Sequence, residues 1–458
     1  MAEIKGKIKA DKLPGLVKDG TIETIVVAGI DLQGRLYGKR FCADAFIDGF
    51  EGGTNTCTCN FGWDMDLELI PGLEFTGWHT GYHDMKAVPD FNTLRMMPWH
   101  EKTAIVLCDT CDEENNPVSI APRTILRRQA EKAEKMGFKA FMAAEFEFFL
   151  FRETLQSIKE KGYKNLEPTS RCYTDYSVFH ASMDEWILGP IRKHLNDMGL
   201  EVESTKGEWG HGQEELAIRY TDALEMGDRH TLVKQAIKEI SAMNNLVATF
   251  MAKHATDASG SGLHIHVSLW DKAAKKNLFW EPGKEHNMSD NMRWFLGGLM
   301  QLCKDFQYFY APLINSYKRY TPKSFAPYNI SWGGDNRTTT FRYCGSGNGF
   351  RIENRVPGAD AHSHLGLAAC LGSGLYGIEN KLEPVGPFIE GDSYEEKALP
   401  LLPDNLKDAL INLDNSEVAR AVFGDDVVDH YVRIGMWDVE QFNKYVTDWE
   451  RRKYFEMG

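Results

Sequence analysis

Ala143-Ala144-Glu145-Phe146-Glu147-Phe148-Phe149-Leu150-Phe151 is the stretch on which the rest of the chain turns. Seven of its nine residues are apolar, so it reads as a buried or half-buried strand. Glu145 and Glu147 stand at i and i+2, on one face of that strand. Two like charges side by side in apolar surroundings are costly unless a cation joins them. A divalent metal supplies that cation most simply; an answering arginine, or a solvated strand edge, would also satisfy the pattern.

The surrounding chain has 458 residues, 43% hydrophobic and 26% charged, enough for two or three domains and a sizeable core. A formal charge of −14 argues against nucleic acid or an anionic membrane as the main partner, while leaving room for local arginine clusters around small anions. No apolar run has the length of a membrane span, and Met1-Ala-Glu-Ile-Lys5 lacks the apolar centre of a signal peptide. Nine scattered cysteines read as reduced thiols, so the expected location is the cytoplasm. Cys57-Thr-Cys59 and Cys108-Asp-Thr-Cys111 do not make a matched set of four zinc ligands.

Upstream of the stretch, residues 1–20 predict a short amphipathic helix ending at Gly20. Glu23–Asp31 and Gly34–Phe41 alternate around Leu32-Gln33-Gly34, a β-hairpin signature. Residues 48–100 read as strands and long loops of a small β-rich domain. Near Ser119-Ile-Ala-Pro-Arg123 the texture changes, and Thr124–Met136 predicts a helix stopped by Gly137. Downstream come a polar loop to about residue 180, a helix over Asp184–Met198, and alternating helices and strands. Helical stretches over Asn405–Leu413 and Val439–Phe455 close the chain. The fold class is α+β, without internal repeats.

Further chemistry clusters in Glu208-Trp-Gly-His-Gly-Gln-Glu-Glu-Leu216, in His264-Ile-His266 after Ser259-Gly-Ser-Gly262, and in Arg351-Ile-Glu-Asn-Arg-Val356. His264 and His266 share one strand face, as do Arg351, Glu353 and Arg355; a surface salt-bridge ladder would explain the latter as well. Together the clusters offer Glu145, Glu147, Glu208, Glu215, His264 and Glu353, with Arg319, Arg337, Arg342, Arg351 and Arg355. Five carboxylates and an imidazole suit a pair of hard divalent ions such as Mg²⁺ or Mn²⁺. Arginines suit phosphate and carboxylate groups. Metals and arginines without a Walker-type loop suggest phosphoryl transfer on another scaffold.

In order and spacing these motifs resemble the glutamine synthetase family over nearly the whole chain: the Glu-Phe-Glu strand, the Gly-Gln-x-Glu turn, Gly260-Ser-Gly-Leu-His-Ile-His266, Asn315-Ser-Tyr-Lys-Arg319, Asp335-Asn-Arg337 and Arg351-Ile-Glu-Asn-Arg355. The resemblance implies a small N-terminal β-grasp domain over residues 1–118. Residues 119–458 would be the catalytic domain, a curved antiparallel sheet backed by helices. It implies ATP and two to three Mg²⁺ or Mn²⁺ ions per site. Glu147, Glu208 and Glu215 would hold the first, and Glu145, His264 and Glu353 the second. Arg319, Arg355 and the Gly260 backbone would orient L-glutamate, Arg337 and Arg342 would stabilise the phosphoryl group in flight, and His266, Ser268 and Arg351 would face the nucleotide. It also implies a homo-oligomer, commonly a dodecamer, whose active site takes an Asp from the neighbouring subunit; Asp84 fits one such position, and Asp64 or Asp66 another.

The sequence departs from that pattern at the flap. Ammonia-using members carry Tyr-Glu-Ala-Pro, whereas this chain reads Ser324-Phe325-Ala326-Pro327. An ammonium ion loses its counter-charge there, while an alkylamine regains burial energy, roughly 0.8 kcal/mol per CH₂. Ser259 stands where many members have an Asn that helps bind glutamate, and Tyr394 is only a loose counterpart of the tyrosine that some members adenylylate. The expectation is an ATP-dependent ligase joining the γ-carboxylate of L-glutamate to a primary alkylamine through γ-glutamyl phosphate, with Asp84 or Asp64 taking the amine's proton. Glutamine synthetase proper, using ammonia, and a non-catalytic structural or sensing relative are the alternatives.

Overall fold

Two sheets organise residues 5–458, the part of the chain that the computed structural model describes. The first is built from β1 (Thr24–Ile30), β2 (Leu36–Cys42), β3 (Thr54–Cys57), β4 (Asp84–Pro89), β5 (Arg95–Met96) and β6 (Thr103–Cys111). Its strand order is β2-β1-β6-β4-β3, with β5 also on β6. The expected hairpin is present, and one side chain closes it. Asp31 Oδ1 accepts from the Gln33 and Arg35 amides at 3.0 and 2.8 Å, and Oδ2 accepts from Arg35 Nε at 2.8 Å. Gly34 takes φ +78° in that turn, a value that favours glycine.

β1 pairs with β2 in antiparallel fashion and with β6 in parallel, and both of its faces are used. Ile25 and Val27 point into a small core with Phe46 and Leu94, whereas Ala28 and Ile30 belong to the main core with Ile120 and Ile125. The period-two alternation of a strand therefore sews the small sheet onto the larger body. Polar ties reinforce the seam. Arg123 reaches Asp90 at 2.7 Å and Asp228 at 2.9 Å, His364 meets Asp228 at 3.0 Å, and His362 Nε2 lies 3.0 Å from the Asp31 carbonyl.

The second sheet has nine strands: β7 (Phe138–Phe151), β8 (Val202–Gly207), β9 (Gln213–Ile218), β10 (Thr221–Asp222), β11 (Val247–Thr249), β12 (Ile265–Asp271), β13 (Trp332–Gly334), β14 (Phe341–Cys344) and β15 (Arg351–Asn354). The order is β13-β14-β15-β12-β7-β9-β8, with β10 and β11 also on β7. All of its ladders are antiparallel except β13–β14, a parallel exception to the antiparallel sheet expected. Helices Pro122–Lys135 and Ala223–Met243 pack behind β7, and Asp290–Gln301 and Ser363–Asn380 extend that layer. Phe146 stacks on His230 of the second helix at 4.7 Å, leaving Glu145 and Glu147 on the opposite face of the strand.

Three local expectations need correction. The helix expected over 1–20 is confined to a 3₁₀ turn at Ala10–Lys12 and to Leu13–Lys18, because the chain before it is pinned to the first sheet. There Lys7 bridges Arg95 and the Ile8 amide bonds the Leu94 carbonyl at 2.9 Å; residues 1–4 of that expected helix lie outside the described part. The polar loop after β7 contains two short helices, Leu155–Glu160 and Val178–Ala181, the first started by a Thr154/Ser157 capping box. The closing helical stretch is split into Asp425–Lys444 and Asp448–Tyr454, because a Thr447/Glu450 capping box starts a new helix after Tyr445. The helices expected at Thr124–Met136 and Asp184–Met198 appear as Pro122–Lys135 and Glu185–Asp197. Among the described residues no helix is long and apolar enough to cross a membrane.

Candidate active site

Strand register sets the site. Glu147 lies opposite Glu215 in the β7–β9 ladder, while β12, β15 and β14 line up His266, Glu353 and Arg342 in a row across the sheet. Two groups of ligand atoms result, each lying within 4.8 Å of one another: Glu147, Glu208 and Glu215, and Glu145, His266 and Glu353. His264, one residue before β12, joins the second group, its Nδ1 2.6 Å from Glu145 Oε2 and 3.4 Å from Glu353 Oε1. His266 Nε2 is 2.9 Å from Glu145 Oε1.

The two groups differ in charge balance. In the second, Glu353 places one oxygen 2.6 Å from Arg342 Nη1 and the other 2.5 Å from Arg355 Nη1. Burial opposes its ionisation, but Arg355 and the two histidines prevail and hold it at about 2. Glu353 and Arg355 are 1% and 4% exposed, so this is a buried network and not the surface ladder that the strand pattern also allowed. In the first group the answer is weaker: Lys206 contacts Glu208 alone, and among the described residues no arginine bonds any of the three carboxylates. Burial first, and then the Glu145 charge, push Glu215 up to about 9; burial likewise raises Glu147. Three converging carboxylates, two of them raised by burial and like charge, form a donor set suited to a hard divalent cation.

Glu147 is also fixed from behind. The Gly262 amide donates to its Oε2 at 2.7 Å and Gln213 Nε2 at 3.3 Å. A Cβ at Gly262 would come within 2.9 Å of Arg319 Nη2 and 3.0 Å of His264 Nε2, so any side chain here would displace site residues.

A cavity of about 580 Å³ opens over both groups. Glu145, Glu147, Glu208, Glu215, His264 and Glu353 line it, together with Gly260, Arg319, Phe325, Arg337, Arg342 and Arg355. Arg319 is buried and donates to the Arg355 and Val356 carbonyls at 3.2–3.3 Å. Phe325 takes φ +59° and is 62% exposed in the lining, while its carbonyl accepts from Arg355 Nη2 at 3.3 Å. The Tyr394 hydroxyl donates to the neighbouring Ala326 carbonyl at 2.7 Å, so this tyrosine anchors the flap.

Six sequence candidates, Asp66 among them, lie outside this lining. His266 belongs to the acidic group beneath the cavity, where its Nδ1 accepts from Arg351 Nε at 3.1 Å. Ser268 is buried and accepts from Trp270 Nε1 at 3.0 Å. Arg351 also reaches back to the Gly349 carbonyl at 3.1 Å. Asp84 is exposed at the start of β4. Asp64 caps a turn through the Asp66 and Glu68 amides and accepts from Trp437 Nε1 at 2.9 Å.

The catalytic-domain model of glutamine synthetase matches residues 119–454. The chain belongs to the glutamine synthetase family. Within that family it is similar to the glutamate–isopropylamine ligase of a Pseudomonas species, 40% identical over 97% of this chain and 98% of that one. It is also similar to the γ-glutamylethanolamide synthetase GlnA4 of Streptomyces coelicolor, 41% identical over 97% and 95%. The glutamine synthetase of Thermotoga maritima is 31% identical over 96% and 98%. Among solved structures, a GmaS–ADP complex superposes with a TM-score of 0.84 at 27% identity, covering 97% of this chain and 99% of that one.

Glutamine synthetase-family motifs do not account for the whole lining. Asp175, Tyr176, Lys206, Trp209, Lys253 and Lys323 also line the cavity. Trp209 carried a signal, as a large apolar residue next to an expected ligand in a glycine-rich turn. Asp175 and Tyr176 lie in a polar loop without period, and only the fold brings them there.

Proposed function

We propose that this chain is an ATP-dependent ligase that joins the γ-carboxylate of L-glutamate to a primary alkylamine, giving a γ-glutamyl amide, ADP and phosphate. In the first step a γ-carboxylate oxygen takes the γ-phosphoryl group of ATP, and the bond to ADP breaks. In the second the alkylammonium first gives one proton to an acidic residue, the freed amine nitrogen attacks the γ-carbonyl carbon, the carbon–oxygen bond to phosphate breaks, and the departing phosphate takes the nitrogen's second proton. In this reading Arg319, Arg355 and the Gly260 backbone orient glutamate and Arg337 and Arg342 steady the phosphoryl group in transit; that all five residues line the cavity supports it. Glu147, Glu208 and Glu215 would hold one Mg²⁺ or Mn²⁺ and Glu145, Glu353 and a histidine another, and such ions supply Lewis-acid neutralisation of phosphate oxygens. Between the histidines, His264 lines the cavity and His266 does not, which favours His264 as the ligand and His266 as the group that orients Glu145.

The observation that carries the reading is Phe325. This exposed residue lines the cavity in the flap position where ammonia-using members carry a carboxylate, and this wall favours an alkyl group over ammonium. The amine-ligase names of two similar full-length relatives support the same class. Because Asp64 is committed to its own turn, the reading assigns the proton acceptor to Asp84 of the partner subunit in a ring-shaped homo-oligomer. That arrangement, with residues 1–118 as the small domain, is part of the proposal, as is action in the cytoplasm, where ATP and glutamate are supplied. The test is phosphate release from ATP, Mg²⁺ or Mn²⁺ and L-glutamate with ammonium, methylamine, ethylamine, isopropylamine and ethanolamine, with products weighed by mass spectrometry. Turnover with an alkylamine well above that with ammonium is expected. Ammonium as the best acceptor would return the chain to glutamine synthetase proper, and silence with every acceptor would favour a non-catalytic role.

A further inference from the structure

One wall of the cavity already holds a primary alkylammonium: the chain's own. Lys206 sends its Nζ into contact with Glu208, 3.3 Å from Asp175 Oδ1 and 3.4 Å from the Gly207 carbonyl, and 4.5 Å from the centre of the Tyr176 ring. Asp175, Tyr176, Lys206 and Trp209 all line the same cavity as the acidic groups and Phe325. Carboxylate oxygens around the nitrogen and a π face over it are the two features that recognise an alkylammonium cation. Tyr176 and Trp209 leave 73% and 64% of their surfaces exposed, so the core does not use these rings. Tyr173 backs Trp209 at 5.8 Å between ring centres and steadies that wall.

We propose that Asp175, Tyr176 and Trp209 form the acceptor-amine subsite, and that Lys206 is the resident cation whose place the incoming alkylamine takes. The carboxylate of Asp175 meets the ammonium head, the Tyr176 face covers it, and the Trp209 indole lies along a short alkyl chain on the side of the cavity that Phe325 does not supply. A metal ion held by Glu208 would draw that carboxylate away from Lys206, leaving Asp175 and the ring as the lysine's remaining partners and easing its exchange for substrate. This assignment rests on the amine-ligase reading and makes it specific: the acceptor is a small primary amine with an apolar tail, entering as its cation.

The experiment measures KM for ethylamine and isopropylamine, and for glutamate and ATP, in the unmodified enzyme and in Lys206→Met, Asp175→Asn, Trp209→Ala and Trp209→Phe. Removing the resident cation should lower the amine KM at least threefold. Asp175→Asn and Trp209→Ala should raise it at least tenfold, with Trp209→Phe recovering most of the loss, while the KM values for glutamate and ATP move less than twofold in all four. A Lys206→Met enzyme with a higher amine KM, or amine KM values unmoved in Asp175→Asn and Trp209→Ala, would overturn the subsite. Equal losses for glutamate and ATP would also overturn it, pointing to rings that serve the fold or a subunit contact. These failures are separable from failure of the ligase reading, which is decided by the unmodified enzyme: if it turns over with ammonium alone, the reading falls whatever the variants do.

Discussion

Glu147 faces Glu215 directly across the β7–β9 ladder, two carboxylates in register at a place where opposed like charges weaken a sheet. Without a cation between them the pair costs stability, and with one it becomes a clamp. Glu215→Gln should therefore raise the melting temperature in the presence of a chelator, yet abolish most of the rise that Mg²⁺ gives the unmodified protein. Activity at fixed Mg²⁺ should fall on the order of 10–100-fold or more. A thermal melt with and without metal reads both effects; a Glu215→Gln protein that still gains full Mg²⁺ stabilisation would remove this residue from the site.

Glu353 holds Arg342 with one oxygen and Arg355 with the other. Glu353→Ala would leave the buried Arg355 guanidinium without a carboxylate and Arg342 with Asp335 alone, a loss of about 3–5 kcal/mol. Urea denaturation should register it as a lower midpoint at an unchanged slope. Glu353→Gln keeps one accepting oxygen for the arginines and should lose less stability while still losing nearly all turnover.

The flap offers a change of specificity. Phe325→Glu restores a carboxylate at the cavity mouth and should raise kcat/KM for ammonium while lowering it for isopropylamine. Phe325→Ala should flatten the advantage of longer acceptors, by roughly fourfold for each methylene that the ring had covered. Steady-state kinetics over methyl-, ethyl- and isopropylamine decides this; an unchanged ranking of acceptors in Phe325→Ala would show that the ring does not touch them.

Acid sensitivity should have one identifiable source in His430. It is 5% exposed, in contact with Phe75 at 6.4 Å between ring centres, and burial pushes its pKa down to about 4. The unfolded chain takes up this proton near 6.5, so the buried neutral ring stabilises fully above that pH, and the contribution is lost as pH falls from 6.5 towards 4. The loss amounts to about 3 kcal/mol when complete. In His430→Gln the stability difference from the unmodified protein should shrink across that window; a constant difference from pH 7 to pH 4 would contradict the assignment.

Much of the site was legible because its chemistry is written in strand periodicity. Glu145 and Glu147 stand two apart, as do His264 and His266, and Glu353 sits between arginines; such spacings place side chains on one face before any fold is known. The β1–β2 hairpin was equally plain in its turn. What escaped depends on contacts distant in sequence. The split before Asp448 turns on a capping box inside an apolar-periodic stretch. The loop residues Asp175 and Tyr176 reach the cavity through contacts with Lys206 of β8, and Thr174 before them donates to the Glu208 carbonyl, both partners distant in sequence. The placement of His266 beneath the cavity, with Arg351 on its other nitrogen, follows from sheet register and not from the His-Ile-His spelling.

The two-faced burial of β1 has an implication for inheritance and engineering. A strand whose one side seals the small sheet's own core and whose other side, through Ala28 and Ile30, completes the core around Ile120 and Ile125 cannot be cut free without opening both. The first hundred or so residues are thus not a detachable module. A fragment beginning near residue 119 would present a raw apolar surface and an Arg123 guanidinium deprived of Asp90 and Asp109 and left with Asp228 alone. Gene fusions, circular permutations and natural recombination in such a chain should be tolerated at its outer loops, while the junction between its two sheets is inherited as a single piece.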